Sequence, residues 1–237
     1  VLARATHVLR RKRDGRFLAA NVREGLMALD PRWSREPGVD AALDALALVD
    51  APGLGHRDPP PLALHGLQAR LAELGLDADA YAARTGLPVV AEPAWLVHAG
   101  EDRYRRPLWL HPRAARAWSH MRADARRDGV VLEAISGYRS HDYQLGIFAR
   151  KRARGLGVEE ILAVNAAPGF SEHHDGRALD IGTPGEPPAE ESFERTAAFA
   201  WLQANAAGHG FRMSYPRDNP HGIVHEPWHW YYIAHKD

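Results

Sequence analysis

Residues 171–180 have the sequence Ser-Glu-His-His-Asp-Gly-Arg-Ala-Leu-Asp, and residues 226–230 have the sequence Glu-Pro-Trp-His-Trp. These two segments offer His173, Asp180 and His229 as candidate metal ligands and Glu226 as an additional carboxylate. A catalytic zinc site uses three protein ligands, leaves one coordination position open for water and has a Glu nearby to accept the proton of that water. The segments therefore contain the residue types of a hydrolytic metal centre.

The spacing within each segment is compatible with such a centre. His173 and Asp180 are too far apart for one helical turn, but Gly176 allows a loop that continues into a strand, so that both side chains face one point. Pro227 disfavours a helix between Glu226 and His229, which favours a strand end and a tight turn. The chain has 14 histidines, however, and by spacing alone hydrogen-bonded or surface histidines are the default explanation.

Composition indicates a globular protein with no preference for nucleic acid. The 237 residues are 45% hydrophobic and 25% charged, with a formal net charge of zero. A chain of this length forms one large core or two small ones, and a balanced charge creates no overall field that attracts nucleic acid or anionic lipid. The basic block at residues 10–13 has no interleaved aromatic residues and is interpreted as a solvated strand or turn face.

Cysteine is absent, which excludes thiolate metal sites, disulfide bonds and cysteine nucleophiles. Any metal must therefore bind to nitrogen and oxygen. No stretch approaches the roughly 18 apolar residues of a membrane helix, and no signal-peptide core is visible. The sequence begins with Val1 rather than Met, so a processed leader is compatible with it.

The first 92 residues are predicted to form an accessory region of unknown function. Their predicted elements are a hairpin of residues 6–9 and 16–20, a helix over 40–49, a loop over 51–61, a helix carrying Leu64, Leu67, Leu71 and Leu74, and a helix from Asp77 to about Gly86.

The second region, residues 93–237, contains the candidate chemistry. Its predicted elements are a helix over 112–127, a strand over 130–135, a helix capped by Ser140 and ending near 154, a helix over 191–207, and strands over 211–215 and 222–225. Helices and strands mix without the regular alternation of a parallel doubly wound sheet, so an α+β fold is expected.

Three motifs in a fixed order relate this region to a known family. They are Ser-Gly-Tyr-Arg-Ser at 136–140, Ser-x-His-x-x-Gly-x-Ala-x-Asp at 171–180 and Glu-x-Trp-His at 226–229. Residues 105–234 thereby closely resemble the zinc D-alanyl-D-alanine carboxypeptidases of the VanY type, in the M15 peptidase family. The resemblance implies a small antiparallel sheet flanked by helices and carrying a zinc site, with the N-terminal accessory region outside it.

The resemblance also implies roles for individual residues. His173, Asp180 and His229 would bind Zn²⁺, and Glu226 would act as the general base. Two neutral imidazoles and one carboxylate leave the dication with net positive charge, which acidifies bound water and polarises a carbonyl. Arg139 would hold the substrate carbonyl or carboxylate and stabilise the developing oxyanion.

Four further residues have less defined roles. Ser171 and Gln144 match substrate-pocket positions of the family, although capping or loop hydrogen bonds explain them almost equally well. His174 is expected on the surface or behind the metal ligands rather than as a ligand, because an extended segment would point it away from His173. His225 is expected behind the ligands or in the core.

The implied function is removal of the terminal D-alanine from peptidoglycan stem peptides by a zinc enzyme located in the periplasm or cell envelope. An L,D-carboxypeptidase and a peptidoglycan endopeptidase of the same family remain alternatives, because pocket walls set that preference. A noncatalytic wall-binding protein with a structural zinc is a third alternative, which an intact Glu226 disfavours. The sequence leaves the oligomeric state and any anchoring open.

Overall fold

The computed structural model describes residues 1–49, 58–64 and 66–233. The helices are α1 (Val39–Val49), α2 (Leu67–Glu73), α3 (Ala78–Thr85), α4 (Pro112–Arg127), α5 (His141–Ala153), α6 (Val158–Ala163) and α7 (Ala197–Asn205). The strands are β1 (His7–Arg10), β2 (Phe17–Val22), β3 (Gly25–Ala28), β4 (Val97–Glu101), β5 (Pro107–Leu110), β6 (Glu133–Ser136), β7 (Ala178–Gly182), β8 (Phe211–Met213) and β9 (His229–Tyr232).

Within the described ranges these strands form three antiparallel sheets. Strands β1 to β3 form an N-terminal sheet, β4 and β5 form a hairpin, and the main sheet has the order β6-β7-β9-β8. In the main sheet Asp180 of β7 lies opposite His229 of β9, so the register places two candidate ligands on neighbouring strands. The predicted α+β fold with a small antiparallel sheet is confirmed.

One face of the main sheet packs against α4 and α7. Leu179 and Ile181 of β7, Trp118 of α4 and Leu202 of α7 are almost completely buried in this core. Helix α4 begins at Pro112, and the side chain of His111 accepts the backbone N–H of Arg113 as its cap. Burial of these apolar side chains fixes the strands that carry the site.

A second core joins the helices before residue 92 to those after it. Leu71 of α2 and Tyr81 of α3 pack with Phe148 of α5, Ile161 of α6 and Phe170. The Tyr81 and Phe170 rings are 4.9 Å apart in an edge-to-face arrangement. This cluster contains residues from both sides of the predicted boundary.

Several predicted elements agree with the structure. The hairpin is present as β1 and β2 with an additional third strand, and α1 and α4 lie where helices were predicted. Asp77 caps α3 by accepting from the N–H of Ala80, and Ser140 caps α5 by accepting from the N–H of Tyr143. Such caps depend on neighbours in the chain, which is why the sequence identifies them. Residues 51–57 of the predicted loop over 51–61 lie outside the described residues. Residue 234, the last residue of the region that resembles the known family, lies outside them as well.

The predicted strand over 222–225 is wrong. Gly222 has a φ of +68°, in the left-handed region, which breaks an extended backbone. The side-chain nitrogen Nδ2 of Asn219 donates to the backbone carbonyl of Ile223 at 2.7 Å. A side chain therefore satisfies the carbonyl group that would pair with a neighbouring strand. The segment is consequently an irregular loop along the edge of the site.

The predicted helix over 191–207 is interrupted. Residues 191–195 form a 3-10 turn, Thr196 has an extended backbone, and α7 starts at Ala197. The hydroxyl of Thr196 accepts from the N–H of Phe199, so this residue starts a new helix instead of continuing the first one. The strand predicted over 130–135 is shorter and begins at Glu133. The β4–β5 hairpin and α6 were not predicted.

None of the helices within the described ranges combines the length and the apolar character needed to cross a bilayer.

Candidate metal centre

The structure brings the three candidate ligands together from three elements. His173 lies in a 3-10 turn formed by Glu172–Asp175, Asp180 lies in β7 and His229 begins β9. One ligand atom from each of the three residues lies within 4.8 Å of the others, and all three residues are buried. The loop between residues 173 and 180 enters a strand, and a tight turn precedes His229, as the spacing indicated.

Hydrogen bonds fix the orientation of the His173 ring. Its Nδ1 lies 2.7 Å from the carbonyl oxygen of Gly137, which acts as an acceptor and therefore places the proton on Nδ1. Its Nε2 is buried and makes no hydrogen bond within the described chain, although Oδ1 of Asp180 lies 3.3 Å away. A buried nitrogen lone pair without a donor is the arrangement that a metal ion would complete.

The His229 ring is held from its opposite edge. Its Nδ1 lies 3.2 Å from Oδ1 of Asp180, and its Nε2 lies 2.9 Å from Oε2 of Glu172. Glu172 thus accepts the Nε2 proton and leaves Nδ1 directed at Asp180 and the centre of the cluster. This carboxylate–histidine contact is typical of metal sites, where it sets the tautomer and orientation of the ligand.

Two of the three distances between the candidate ligand atoms fit zinc. In a tetrahedral site with metal–ligand distances of about 2.0–2.1 Å, two ligand atoms lie about 3.3–3.4 Å apart. Oδ1 of Asp180 lies 3.3 Å from Nε2 of His173 and 3.2 Å from Nδ1 of His229. Three ligands of nitrogen and oxygen, without a fourth in the described cluster, match the open coordination of a catalytic site.

Electrostatics at the centre favour a positive charge. Burial alone would raise the pKa of Asp180, but the imidazole of His173 and the hydrogen bond from His229 hold that pKa well below its usual range. Burial likewise opposes protonation of His229, yet Asp180 and Glu172 raise its pKa to about 10. Two carboxylates around one imidazole therefore stabilise a cation at this position, and a dication would take the place of that proton.

Glu226 lies beside the three ligands. Its Oε2 is 3.9 Å from Nδ1 of His229, and its backbone carbonyl accepts the N–H of His229 at 3.1 Å in the turn made by Pro227 and Trp228. Burial raises the pKa of Glu226 to about 7, although the charge of His229 opposes this shift. A carboxyl group with a pKa near neutrality can both accept and return a proton.

A cleft of about 270 Å³ opens onto the centre. The seven predicted site residues all line it: Arg139, Gln144, Ser171, His173, Asp180, Glu226 and His229. Nε of Arg139 is buried and has no hydrogen-bond partner among the described residues. Lys151 of α5 also lines the cleft, and its pKa is lowered by burial and by the charges of Arg139 and Arg154. The cleft is therefore lined by two cations as well as by the carboxylates of the centre.

Ser171 and Gln144 also take part in the local structure. The hydroxyl of Ser171 caps the 3-10 turn by accepting the N–H of His173 at 3.4 Å. Nε2 of Gln144 donates to the carbonyl of Ala166 at 3.1 Å, while its Oε1 is buried without a partner in the described chain. Both residues therefore have structural contacts, and Gln144, which lines the cleft, retains one unused acceptor.

His174 and His225 lie outside the ligand cluster. His174 is fully buried, which excludes the surface position: its Nδ1 donates to the carbonyl of Arg139 at 2.6 Å, and its Nε2 accepts the N–H of Gly169. Nε2 of His225 lies 3.1 Å from Oε2 of Glu194, on the side of a second, open cavity.

The sequence did not identify Glu172, Lys151 or Tyr215 as members of the site. The Tyr215 ring lies 4.9 Å from the His229 ring and lines the cleft. Glu172 is adjacent to a candidate ligand, which was the only available signal, because its partner His229 is 57 positions away. Lys151 was one of several cations in the last turn of α5.

Backbone conformation and packing require a glycine at position 176. It has a φ of +74°, and a Cβ at this position would lie 2.6 Å from Cδ2 of Leu96 and 2.9 Å from the backbone nitrogen of His111. The loop between the candidate ligands His173 and Asp180 therefore passes directly against the end of β5.

Comparison with known proteins places this site in a family. The model of the family described as VanY, D-alanyl-D-alanine carboxypeptidase, matches residues 107–235. YodJ of Bacillus subtilis is 36% identical over 132 residues, which cover 54% of this chain and 48% of YodJ. A D-alanyl-D-alanine carboxypeptidase of Enterococcus faecium is 33% identical over 130 residues, covering 54% of this chain and 38% of that protein. The chain therefore spans less than half the length of these two relatives.

The chain is also similar to a solved structure. The LdcB LD-carboxypeptidase is 33% identical with a TM-score of 0.57, and the alignment covers 63% of this chain and 72% of that one. Residues 107–235, which the family model matches, contain all candidate site residues and exclude β1 to β3.

Proposed function

The chain belongs to the VanY family of D-alanyl-D-alanine carboxypeptidases, and on that basis we propose that it is a zinc peptidase that removes the terminal D-alanine from peptidoglycan stem peptides. The observation that carries this proposal is the convergence of His173, Asp180 and His229, with Glu226 beside them, in one cleft. Peptidoglycan stem peptides lie outside the cytoplasm, and this supports a proposed location in the periplasm or cell envelope.

We assign different roles in peptide hydrolysis to the residues of the cleft. His173, Asp180 and His229 would hold the zinc ion, which when bound supplies a positive charge that acidifies water and polarises a carbonyl. Glu226 would accept the proton from the attacking water and return it to the leaving amine, which its pKa near neutrality suits. Arg139 would stabilise the negative charge that develops on the carbonyl oxygen.

The two cations favour a substrate with a free C-terminal carboxylate. Arg139 and Lys151 line the same cleft, and the charged neighbours that affect Lys151 are cations. Placing like charges together is unfavourable unless an anion binds between them. A terminal carboxylate supplies that anion, whereas an internal peptide bond, the target of an endopeptidase, does not. The cleft therefore supports carboxypeptidase over endopeptidase activity.

An L,D-carboxypeptidase is the second candidate. It is favoured by one observation, the similarity to the LdcB LD-carboxypeptidase structure. Both activities use the same metal centre and a terminal carboxylate, and they differ in the configuration of the residue before the scissile bond. We propose that the walls of the cleft, which include Tyr215, Ile223 and Trp228, set this preference.

A defined set of stem peptides tests the proposal. The purified chain would be loaded with zinc and incubated with a pentapeptide ending in D-Ala-D-Ala, its C-terminal amide and the corresponding tetrapeptide, with mass spectrometry to detect loss of one alanine. We expect loss from the free pentapeptide only, no loss with a chelator, and strongly slowed loss with Glu226→Gln.

Other outcomes would contradict the proposal in distinct ways. Alanine loss from the tetrapeptide alone would show L,D-specificity, and equal cleavage of the free acid and the amide would show endopeptidase character. Inertness toward all three substrates, with zinc bound and all four coordination positions filled by the protein, would show a structural metal.

A further inference from the structure

The loop that carries Arg139 is held between two parts of the molecule. On one side it contacts the metal-site turn: the N–H of Arg139 donates to the carbonyl of His173 at 3.2 Å, and Nδ1 of His174 donates to the carbonyl of Arg139 at 2.6 Å. Gly137, two residues earlier, accepts from Nδ1 of His173. The backbone of this loop thus sets the position of both Arg139 and a candidate ligand.

On the other side the same loop is held by a buried carboxylate. Glu92 has a side chain that is 5% exposed, and its Oε1 accepts the N–H of His141 at 2.6 Å. Its Oε2 accepts the hydroxyl of Tyr138 at 3.2 Å. Glu92 therefore binds the loop immediately before and after Arg139 and Ser140.

The N-terminal sheet supplies the counter-charge. Nζ of Lys12, in the turn between β1 and β2, lies 2.5 Å from Oε2 of Glu92. The backbone carbonyl of Lys12 also accepts the hydroxyl of Ser140 at 2.6 Å. One residue of the turn thus contacts the loop directly and neutralises the carboxylate that anchors it. A buried carboxylate that loses its cation keeps the full cost of desolvation.

Aromatic contacts hold the turn in place. The Phe17 ring of β2 packs edge to face on Trp109 of β5 at 6.5 Å, and the guanidinium carbon of Arg10 lies 5.9 Å from the centroid of Trp109. The N-terminal sheet is consequently seated on the same face of the molecule as the loop. Neither Lys12 nor Glu92 lies within residues 107–235, which the family model matches.

We propose that Lys12 and Glu92 are positioning residues that hold the Tyr138–His141 loop, so that Arg139 is directed at the reacting carbonyl and carboxylate. The N-terminal region thereby becomes a support of the active site. This inference rests on the proposed function only for its effect on catalysis, because the contacts themselves can be tested without substrate.

A matched pair of substitutions in one turn tests the inference. Lys12→Met removes the charge that faces Glu92, whereas Arg13→Met removes a neighbouring charge whose guanidinium pairs with Glu36 at 3.0 Å, within the N-terminal region. The first readout is amide hydrogen exchange of peptides that cover residues 138–143 in the zinc-loaded protein. We expect exchange there to be about tenfold faster in Lys12→Met and unchanged in Arg13→Met, because only the former loosens the Glu92 contacts.

The second readout is coupling to Arg139. In the wild-type background Lys12→Met is expected to lower kcat/KM about tenfold, because small displacements of a substrate-contacting group are costly. In an Arg139→Lys background the same substitution is expected to change kcat/KM by less than about twofold, since the group that it positions is already lost. Glu92→Gln should behave like Lys12→Met, and Lys12→Arg should restore most of the activity.

Three outcomes would overturn the inference: unchanged exchange over residues 138–143 in Lys12→Met, an equal effect of Arg13→Met, or an undiminished loss in the Arg139→Lys background. If the wild-type protein fails to hydrolyse any stem peptide, the proposed function fails, and the exchange comparison still decides whether Lys12 holds the loop.

Discussion

Oε2 of Glu172 lies 2.9 Å from Nε2 of His229, on the edge of the ring opposite to Asp180. Glu172 therefore holds the proton on Nε2 of His229, so that Nδ1 faces Asp180 and is the nitrogen that would bind a metal. Its other oxygen accepts from Arg212 at 3.2 Å, which holds the carboxylate in position. The contact joins the turn that carries one candidate ligand to the strand that carries another.

Glu172→Gln is expected to weaken zinc binding about 10- to 100-fold, because the partner that orients a ligand histidine contributes that much to metal affinity. Competition with a chromophoric chelator measures the change. Glu159→Gln, at an exposed carboxylate paired with Arg84, is the control and should leave affinity unchanged. Equal affinities of wild type and Glu172→Gln would show that His229 is oriented by Asp180 alone.

Glu226→Gln is expected to lower kcat about 10²- to 10⁴-fold on a D-Ala-D-Ala peptide, because an amide cannot accept the proton of water. Zinc content should remain that of wild type, since Glu226 lies 3.9 Å from the nearest ligand nitrogen and is not among the three grouped ligands. Steady-state kinetics together with metal analysis check both statements. Retention of kcat would exclude Glu226 as the base.

Lys151→Met is expected to raise KM about tenfold for peptides with a free terminal carboxylate and to change kcat little, because it removes a charge that binds substrate and transition state alike. Arg152→Met removes the same charge from the neighbouring position, which is absent from the cleft lining, and should have no effect. Comparison of the KM values of the two variants with that of wild type tests whether Lys151 binds the terminal carboxylate. A KM unchanged by Lys151→Met would remove this lysine from carboxylate recognition.

Stability is expected to fall in mildly acidic solution because of His111. Burial and the charge of Arg177 lower the pKa of His111 from 6.5 to about 4, and its neutral Nδ1 accepts the N–H of Arg113 at 3.3 Å as the cap of α4. Above pH 6.5 the imidazole is neutral in both the folded and the unfolded chain. Between pH 6.5 and about 4 the unfolded chain binds a proton that the folded chain does not, so the free energy of unfolding decreases; below about 4 this loss stops.

His111→Asn isolates this contribution, because asparagine also caps helices well but does not titrate. Urea unfolding at pH 7.5 and pH 5 should show a smaller loss of stability in His111→Asn than in wild type. Identical losses in the two proteins would assign the acid sensitivity to other buried histidines.

The sequence by itself determined the features that depend on neighbours in the chain. Pro112 and the apolar face that follows it specified α4, and Asp77 and Ser140 specified the starts of α3 and α5, because caps and amphipathic periodicity are local. The motifs around His173, Asp180 and His229 identified the candidate ligands through their resemblance to a known family, because the order and residue types of those motifs can be read from the chain.

The tertiary structure decided the contacts between distant segments. The pairs Glu172–His229 and Lys12–Glu92 join residues 57 and 80 positions apart, and local sequence contains no signal for such pairs. The strand predicted from local sequence at residues 222–225 was wrong, because the side chain of Asn219 donates to a backbone carbonyl that a strand would have paired. The amino-acid sequence therefore determined which reacting groups are present. The packing of sheet, turn and loop determined how those groups are oriented, because orientation depends on hydrogen bonds that form only after the chain has folded.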